Sequence, residues 1–298
     1  MEYLYYPGCS LEGSALEYNQ STRAVLACAG IDLTELEDWT CCGATAADAV
    51  SRLLSVVLPA RNLALAEKRH PGMDILVPCS ACYLNLKKVE VKIRSDAHLL
   101  EEINAVLAQE ELTLTGTTTV KHLLEVLAND VGPETLETKV IQPLEGFSVA
   151  PYYGCQCLRP YAVFDDPEEP RAMEGLLRAA GAEVFDWNMG PKCCGASHMN
   201  TKMEVGLVLS GAILAAAQGA DAIATVCPMC QLNLEGYQKK ISSLTSAALP
   251  ISVLYLPQLL GLAMGLSEED LKIDLNLAVT DGFRQKIGRR EKEQQAAV

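Results

Sequence analysis

The sequence is short of positive charge, long apolar runs and histidine. Its 24 Lys and Arg stand against 38 Asp and Glu, a formal charge of −14 over 298 residues. Most of such a surface repels a nucleic-acid backbone or an anionic membrane, so neither is expected as a partner. The longest apolar stretch, Val205 to Ala220, contains Ser210 and Gln218 and falls short of the ~18 residues of a membrane span. It reads as a buried core helix. The chain opens Met1-Glu2-Tyr3 without a positively charged stretch, so no secretory leader is expected and the protein should stay in the cytoplasm. Residues 49% hydrophobic and 21% charged exclude disordered and fibrous classes, and the length suggests two domains of roughly 150 residues.

What the chain has in excess is cysteine. Twelve cysteines are too many for chance and in the wrong compartment for a disulfide framework, which leaves metal binding or thiol chemistry. They also repeat. Cys9 matches Cys155 at an offset of 146, Cys41-Cys42 matches Cys193-Cys194 at 152, and Cys79 and Cys82 match Cys227 and Cys230 at 148. Flanking words repeat with them: Tyr6-Pro7-Gly8-Cys9 against Tyr153-Gly154-Cys155, Cys42-Gly43-Ala44 against Cys194-Gly195-Ala196, and Leu84-Asn85-Leu86 against Leu232-Asn233-Leu234. An internal duplication follows, with domains at 1–146 and 147–298.

Each half alternates β-like and helical stretches. Tyr3–Tyr6, Asp74–Val77, Phe147–Tyr153 and Asp221–Val226 read as strands that end at cysteines. Ala46–Ala66 and Thr201–Gln218 have helical periodicity, with Pro59 expected to kink or split the first. Val120–Leu127 reads as a helix matching Leu256–Ala263, with His122 opposite Gln258. The extra residues of the first half fall in an amphipathic helix, Asp96–Leu112, and the polar tail Arg284–Val298 reads as frayed. This pattern predicts an α/β fold of two tandem pseudo-symmetric domains, each with a largely parallel sheet and ligands at the carboxyl ends of its strands.

The spacing is Cys9-x31-Cys41-Cys42-x36-Cys79-x2-Cys82 and Cys155-x37-Cys193-Cys194-x32-Cys227-x2-Cys230. Cys-x-x-Cys alone suits zinc, an iron–sulfur cluster or a redox dithiol equally. Adjacent cysteines serve one centre only where the backbone turns, and Gly43 and Gly195 allow that turn. Five thiolates per half exceed the four of tetrahedral zinc or an ordinary cubane. Either one is spare or the cluster is unusual.

Two copies of this pattern, with Tyr5-Tyr6-Pro7-Gly8-Cys9-Ser10-Leu11 and the two Cys-x-x-Cys words around Asn85 and Asn233, resemble the tandem cysteine-rich CCG domains found in the B subunits of soluble heterodisulfide reductases. The resemblance covers nearly the whole chain. It implies a noncubane 4Fe-4S cluster in each half, held by Cys9, Cys41, Cys42, Cys79 and Cys82 in the first and by Cys155, Cys193, Cys194, Cys227 and Cys230 in the second. It also implies reduction of the heterodisulfide of coenzyme M and coenzyme B between the clusters, each sulfur captured by one cluster's iron. Electrons would come from the flavin-containing iron–sulfur A subunit of heterodisulfide reductase through its ferredoxin-like C subunit, with a hydrogenase or formate dehydrogenase module as a further partner. Zinc in one half stays open as the alternative metal. An electron-transfer role in a lactate-, glycolate- or quinone-linked complex stays open as the alternative function.

Among the four histidines, His198 is close in sequence to the second set and is the candidate proton donor, with a surface or capping role as its plainer reading. Arg159 and Lys192 flank cysteines of that set, and the substrate implied by the resemblance is an anionic disulfide, so both are candidate substrate contacts; solvated surface residues would look the same. Cys28 reads as a small core residue, and Cys157, opposite Leu11 in the repeat, as a spare thiol or one lining the site. Cys41→Ala or Cys42→Ala should therefore remove iron from the protein purified without oxygen, and Cys28→Ala should leave it intact. Equal iron loss in Cys28→Ala would overturn the assignment.

Overall fold

A computed structural model gives the three-dimensional structure and describes residues 1–44, 46–245 and 247–297. Strands β1 (Glu2–Tyr5), β2 (Asp32–Glu35), β3 (Ile75–Val77) and β4 (Val120–His122) form one sheet in the order β2-β1-β3-β4. Strands β5 (Ser148–Tyr152), β6 (Glu183–Val184), β7 (Ala222–Thr225) and β8 (Ser252–Tyr255) form a second in the matching order β6-β5-β7-β8. The strand pairings in both sheets are parallel. β3, β7 and β8 are buried at every residue, as expected of strands covered on both faces.

The halves pack reciprocally. The helix Leu256–Ala263, which follows β8, lies on the helix Leu16–Cys28 of the first half. The turns Leu123–Glu125 and Val126–Val131, which follow β4, lie on the helix Ala172–Ala179 of the second. Ring stacks recur at the two contacts: Tyr18 on Tyr255 at 4.1 Å and 3° between planes, and Phe164 on His122 at 6.1 Å and 2°. One patch exchanged in both directions marks a twofold relation, so the duplication read from the cysteines is built as two pseudo-symmetric α/β halves. A single apolar core runs through both, from Tyr3 to Ile287, and a smaller one lies in the second half around Ile213, Ile223 and Val253.

Several local expectations are corrected. Val120–Leu127 is not one helix: residues 120–122 are β4, and His122 caps the turn that follows, its Nδ1 accepting from the Leu124 N–H at 3.1 Å. In the second half Tyr255 holds that place, and its N–H donates to Gln258 Oε1 at 3.0 Å. The counterpart of His122 is therefore Tyr255, not Gln258; a short apolar run fits strand and helix alike, so periodicity could not divide it. Pro59 does not split its helix, which runs unbroken over Arg52–Arg69. The break falls at Ser51, where the backbone is extended and Oγ accepts from the Leu54 N–H at 3.3 Å; a serine cap ends the preceding turn more effectively than the loss of one interior donor breaks a packed helix. Asp96 caps the helix Ala97–Leu107, inside the expected Asp96–Leu112.

The apolar helix Met203–Ala216 is buried along one side only, with Val208 71% exposed. The start of Arg284–Val298, expected to be frayed, is held: Lys286 donates to the Gly146 carbonyl at 2.8 Å and to Asp221 Oδ2 at 2.6 Å. The helix Asp281–Ala297 takes most of this segment, docked by buried Phe283 and Ile287 one turn apart; Val298 lies outside the described residues.

Glu235 tests the packing between Pro228–Gly236 and the segment after β8. It is buried, accepts from Asn276 Nδ2 at 3.3 Å and the Ala278 N–H at 3.4 Å, and burial pushes its carboxyl up to about 7. A folded value above the unfolded one means stability present below about pH 4.5 and lost as pH rises through 7. Glu235→Gln keeps the shape and removes that loss. In urea unfolding it should gain about 3 kcal/mol over the parent at pH 8 and nothing at pH 4.

Candidate metal centre

The repeated cysteines gather where strands end. Cys9 sits in the short helix Gly8–Glu12 after β1, Cys41 and Cys42 in the loop after β2, and Cys79 at the N-cap of the helix Ser80–Ile93 after β3. Cys155 follows β5, Cys193 and Cys194 follow β6, and Cys227 caps the helix Pro228–Gly236 after β7. Parallel sheets collect ligands at this edge because loops and helix N-termini converge there.

Glycine makes the sulfur positions possible. Gly8 and Gly154 have φ +70° and +69°, and a Cβ on them would lie 2.9 Å from Cys82 Sγ and 3.0 Å from Cys230 Sγ. Gly43 and Gly195, at φ +74° and +77°, form the turn foreseen beside the paired cysteines. Their N–H groups donate to Cys41 Sγ at 3.4 Å and Cys193 Sγ at 3.3 Å.

Polar anchors repeat as well. The Tyr6 hydroxyl donates to the Thr40 carbonyl at 2.8 Å and the Tyr152 hydroxyl to the Lys192 carbonyl at 2.7 Å, each just before a cysteine pair. Asn85 and Asn233 donate to the carbonyls of Cys42 and Cys194 at 3.1 and 3.3 Å. The repeated words set Tyr6 against Tyr153, but Tyr152 is its counterpart; Tyr153 instead turns to Glu174 and the Met173 N–H. The Leu-Asn-Leu repeat was the visible trace of the asparagines. No local pattern announced what the tyrosines hold.

The two thiol sets meet. Cys42 Sγ lies 3.3 Å from Cys82 Sγ, and Cys194 Sγ lies 3.5 Å from Cys230 Sγ. Cys79 interacts with Cys82 in its own half and with Cys227 in the other. Through Cys41, Cys42, Cys82, Cys79, Cys227, Cys230 and Cys194 the thiols form one chain across the boundary, with Cys155 paired to Cys193 beside it. Cys9 is exposed and near enough to Cys41 to act on it through charge.

Protons are shared along this chain. Hydrogen bonds from the Cys41 and Cys82 thiols lower Cys42 to about 3, and those two donors are pushed up. Cys193 is lowered to about 6, first by the Cys155 thiol, then by the Gly195 N–H and the charges of His198 and Arg159. Thiolates braced by N–H donors, with sulfur as the shared ligand type, suit an iron–sulfur group or thiolate-bound zinc. Among the described residues no three His, Cys, Asp or Glu side chains close on a single-ion position.

The remaining candidates divide. His198 is exposed at the end of the turn Ala196–His198. Arg159 is half-buried, with its guanidinium on Glu168 Oε1 at 2.9 Å and the Pro167 carbonyl at 3.2 Å. Lys192 is exposed, its ammonium without a partner among the described residues, and faces a cavity of about 500 Å³ also lined by Tyr153, Arg178 and Trp187. A cavity of about 50 Å³ lies among Cys155, Cys193, Cys194, Cys227 and Cys230, walled by Tyr153 and by Ser80 of the first half. Cys28 is half-buried against the core, away from the thiol chain. Cys157 is buried, donates to the Tyr153 carbonyl at 3.2 Å and is pushed up to about 12 by burial.

The cysteine-rich CCG domain matches residues 3–87 and again 149–235. The chain belongs to the CCG cysteine-rich domain family. Among relatives, it is 36% identical to the 8-methylmenaquinol:fumarate reductase membrane anchor subunit of Wolinella succinogenes, covering 93% of this chain and 96% of that one. It is 29% identical to the B subunit of the ferredoxin/F420H2-dependent CoB-CoM heterodisulfide reductase of Methanosarcina acetivorans, over 95% of each. The fold resembles the crystal structure of a hypothetical protein from Helicobacter pylori, with a TM-score of 0.76 and 16% identity; 94% of this chain is covered, and it spans 52% of that one. The relatives make this CCG protein one component of an oxidoreductase, of the iron–sulfur type. Among the described residues no helix is long and apolar enough to cross a membrane.

Gly8→Ala and Gly154→Ala should each drive a Cβ into a cysteine sulfur and reduce bound iron by about half, one site at a time. Gly30, at φ +76° with open space around its Cβ position, is the control: Gly30→Ala should cost about 1 kcal/mol in unfolding and leave iron unchanged.

Proposed function

We propose that this CCG protein is the component in which a disulfide is reduced to two thiols at two noncubane 4Fe-4S clusters, the first held by Cys9, Cys41, Cys42, Cys79 and Cys82, the second by Cys155, Cys193, Cys194, Cys227 and Cys230. The observation that carries this reading is the approach of the two Cys-x-x-Cys turns across the halves, where the Ser80 hydroxyl beside Cys79 donates to the Val226 carbonyl beside Cys227 at 3.0 Å and Ser80 joins the wall of the cavity among the second set. One S–S bond can be served from both sides only where the two sets come together. The reaction takes two electrons and two protons, breaks one S–S bond and releases two thiols. When bound, the clusters supply the electrons and thiophilic iron.

The side chains of this chain supply the rest. His198, exposed beside the second set, gives a proton to a departing thiolate. Lys192, its ammonium unpartnered among the described residues, attracts an anionic substrate, and Arg159, tethered by Glu168, adds positive charge near Cys193. The heterodisulfide reductase relatives support the coenzyme M and coenzyme B heterodisulfide as that substrate, with the flavin-containing A and ferredoxin-like C subunits, and a hydrogenase or formate dehydrogenase module, as the source of electrons.

The 36% identity to a component of 8-methylmenaquinol:fumarate reductase favours a second reading, in which the same clusters pass electrons in a quinone-linked complex without a disulfide substrate. Protein purified without oxygen should hold about eight irons per chain and little zinc under either reading. Four irons with one stoichiometric zinc would overturn the two-cluster assignment. With its partners, the protein should reduce the heterodisulfide; quinol-dependent electron transfer without disulfide turnover selects the second reading. His198→Ala should keep its iron and slow disulfide reduction about a hundredfold. Arg159→Ala and Lys192→Ala should raise half-saturation about threefold at constant iron. Unchanged rates across neutral pH in the first, or unchanged half-saturation in the others, would remove the residue concerned from the reaction.

A further inference from the structure

The two Cys-x-x-Cys turns are joined by a hydrogen-bond chain that breaks the internal symmetry. Ser80, next to Cys79, lies 3.2 Å from His122 Nε2 and donates its hydroxyl proton to the Val226 carbonyl at 3.0 Å. Val226 precedes Cys227 in the other half. His122 is fully buried, between Phe164 stacked on one face and Tyr83 edge-on at 5.2 Å. Its Nδ1 accepts from the Leu124 N–H, so Nε2 carries the ring proton and donates to Ser80 Oγ. The chain is therefore directional: Leu124 N–H to His122, His122 to Ser80, Ser80 to the Val226 carbonyl.

Among the described residues nothing equivalent runs the other way. Pro228 stands where the first half has Ser80, and Tyr255 where it has His122. The Pro78 carbonyl, which precedes Cys79, is satisfied within its own half by the Tyr18 hydroxyl at 2.9 Å. Ser80 is also the first-half residue in the wall of the cavity among the second cysteine set, and it meets Cys157 there.

We propose that Ser80 and His122 are positioning residues that set the register between Cys79 and Cys227, and with it the electronic coupling between the two metal centres. His122 also meets the Pro78 and Val226 carbonyls, so the hydroxyl and the imidazole together tie both turns, and displacement of either turn disturbs several buried hydrogen bonds at once. Buried His122 stays neutral, with its ring nitrogen pushed down to about 4 by desolvation, so the direction of the chain holds at physiological pH. This inference rests on the two-cluster reading.

Ser80→Thr and Ser80→Val test it, being of one shape and differing in the hydroxyl alone. Iron per chain, the magnetic interaction between the reduced centres by electron paramagnetic resonance, and their midpoint potentials are measured on the anaerobic full-length protein. The Thr variant should match the parent. The Val variant should keep its iron, lose intercluster interaction and shift the potentials, and His122→Phe should follow it. If Thr and Val are indistinguishable in all three measurements, whether both intact or both damaged, the proposal is overturned. A parent protein without iron refutes the two-cluster reading before any variant is compared. The positioning role is then read from alkylation of native Cys79 and Cys227 followed by mass spectrometry: about tenfold faster in Val than in Thr supports it, and equal rates refute it.

Discussion

The candidate metal centre depends on the approach of the two turns that carry Cys79 and Cys227. Each cysteine caps a helix at the end of a central strand, so the approach requires two parallel sheets to aim the same edge at each other. Reciprocal helix packing provides that aim, since the element after the last strand of each half covers the first long helix of the other. The Tyr18–Tyr255 and Phe164–His122 stacks fix the two contacts at opposite sides of the boundary. Sulfur chemistry and domain packing are thus a single constraint.

Sulfur atoms are large, and the backbone must yield to them. Gly8 and Gly154 leave room for Cys82 and Cys230, while Gly43 and Gly195 turn the chain so that an N–H points at a sulfur. The tyrosine hydroxyls then hold the carbonyl before each cysteine pair. Because these devices occur twice at matching offsets, they belong to the architecture common to both halves. Three of the differences between halves fall where the two meet: Ser80 against Pro228, His122 against Tyr255, Leu11 against Cys157.

The duplication, the parallel α/β class and four of the eight strands among the described residues were legible in the sequence because cysteines mark strand ends and apolar runs precede them. The edge strands β2 and β6 carried no such mark; Asp32–Glu35 is polar and β6 is two residues long. β4 and β8 were hidden inside short apolar runs that continue directly into turns, where period 2 and period 3.6 cannot be told apart. The cysteine spacing announced the centre itself. Its supports were invisible, because Tyr6, Tyr152 and Ser80 act through backbone carbonyls that are distant in sequence. Pro59 misled for a related reason: local propensity spoke for a break, and burial of one face of Arg52–Arg69 outweighed it.

Reciprocal packing also bears on how this chain can be taken apart. Either half alone would bare the apolar face that the other covers, and a second copy of itself would be the nearest substitute cover. Folding of a free half would then depend on how often two copies meet, whereas the link between β4 and β5 keeps the partner permanently at hand. The covalent join thus removes dilution as a threat to the site, and it frees the two faces to differ, since a pair of identical halves would carry Ser80 and His122 on both sides or on neither.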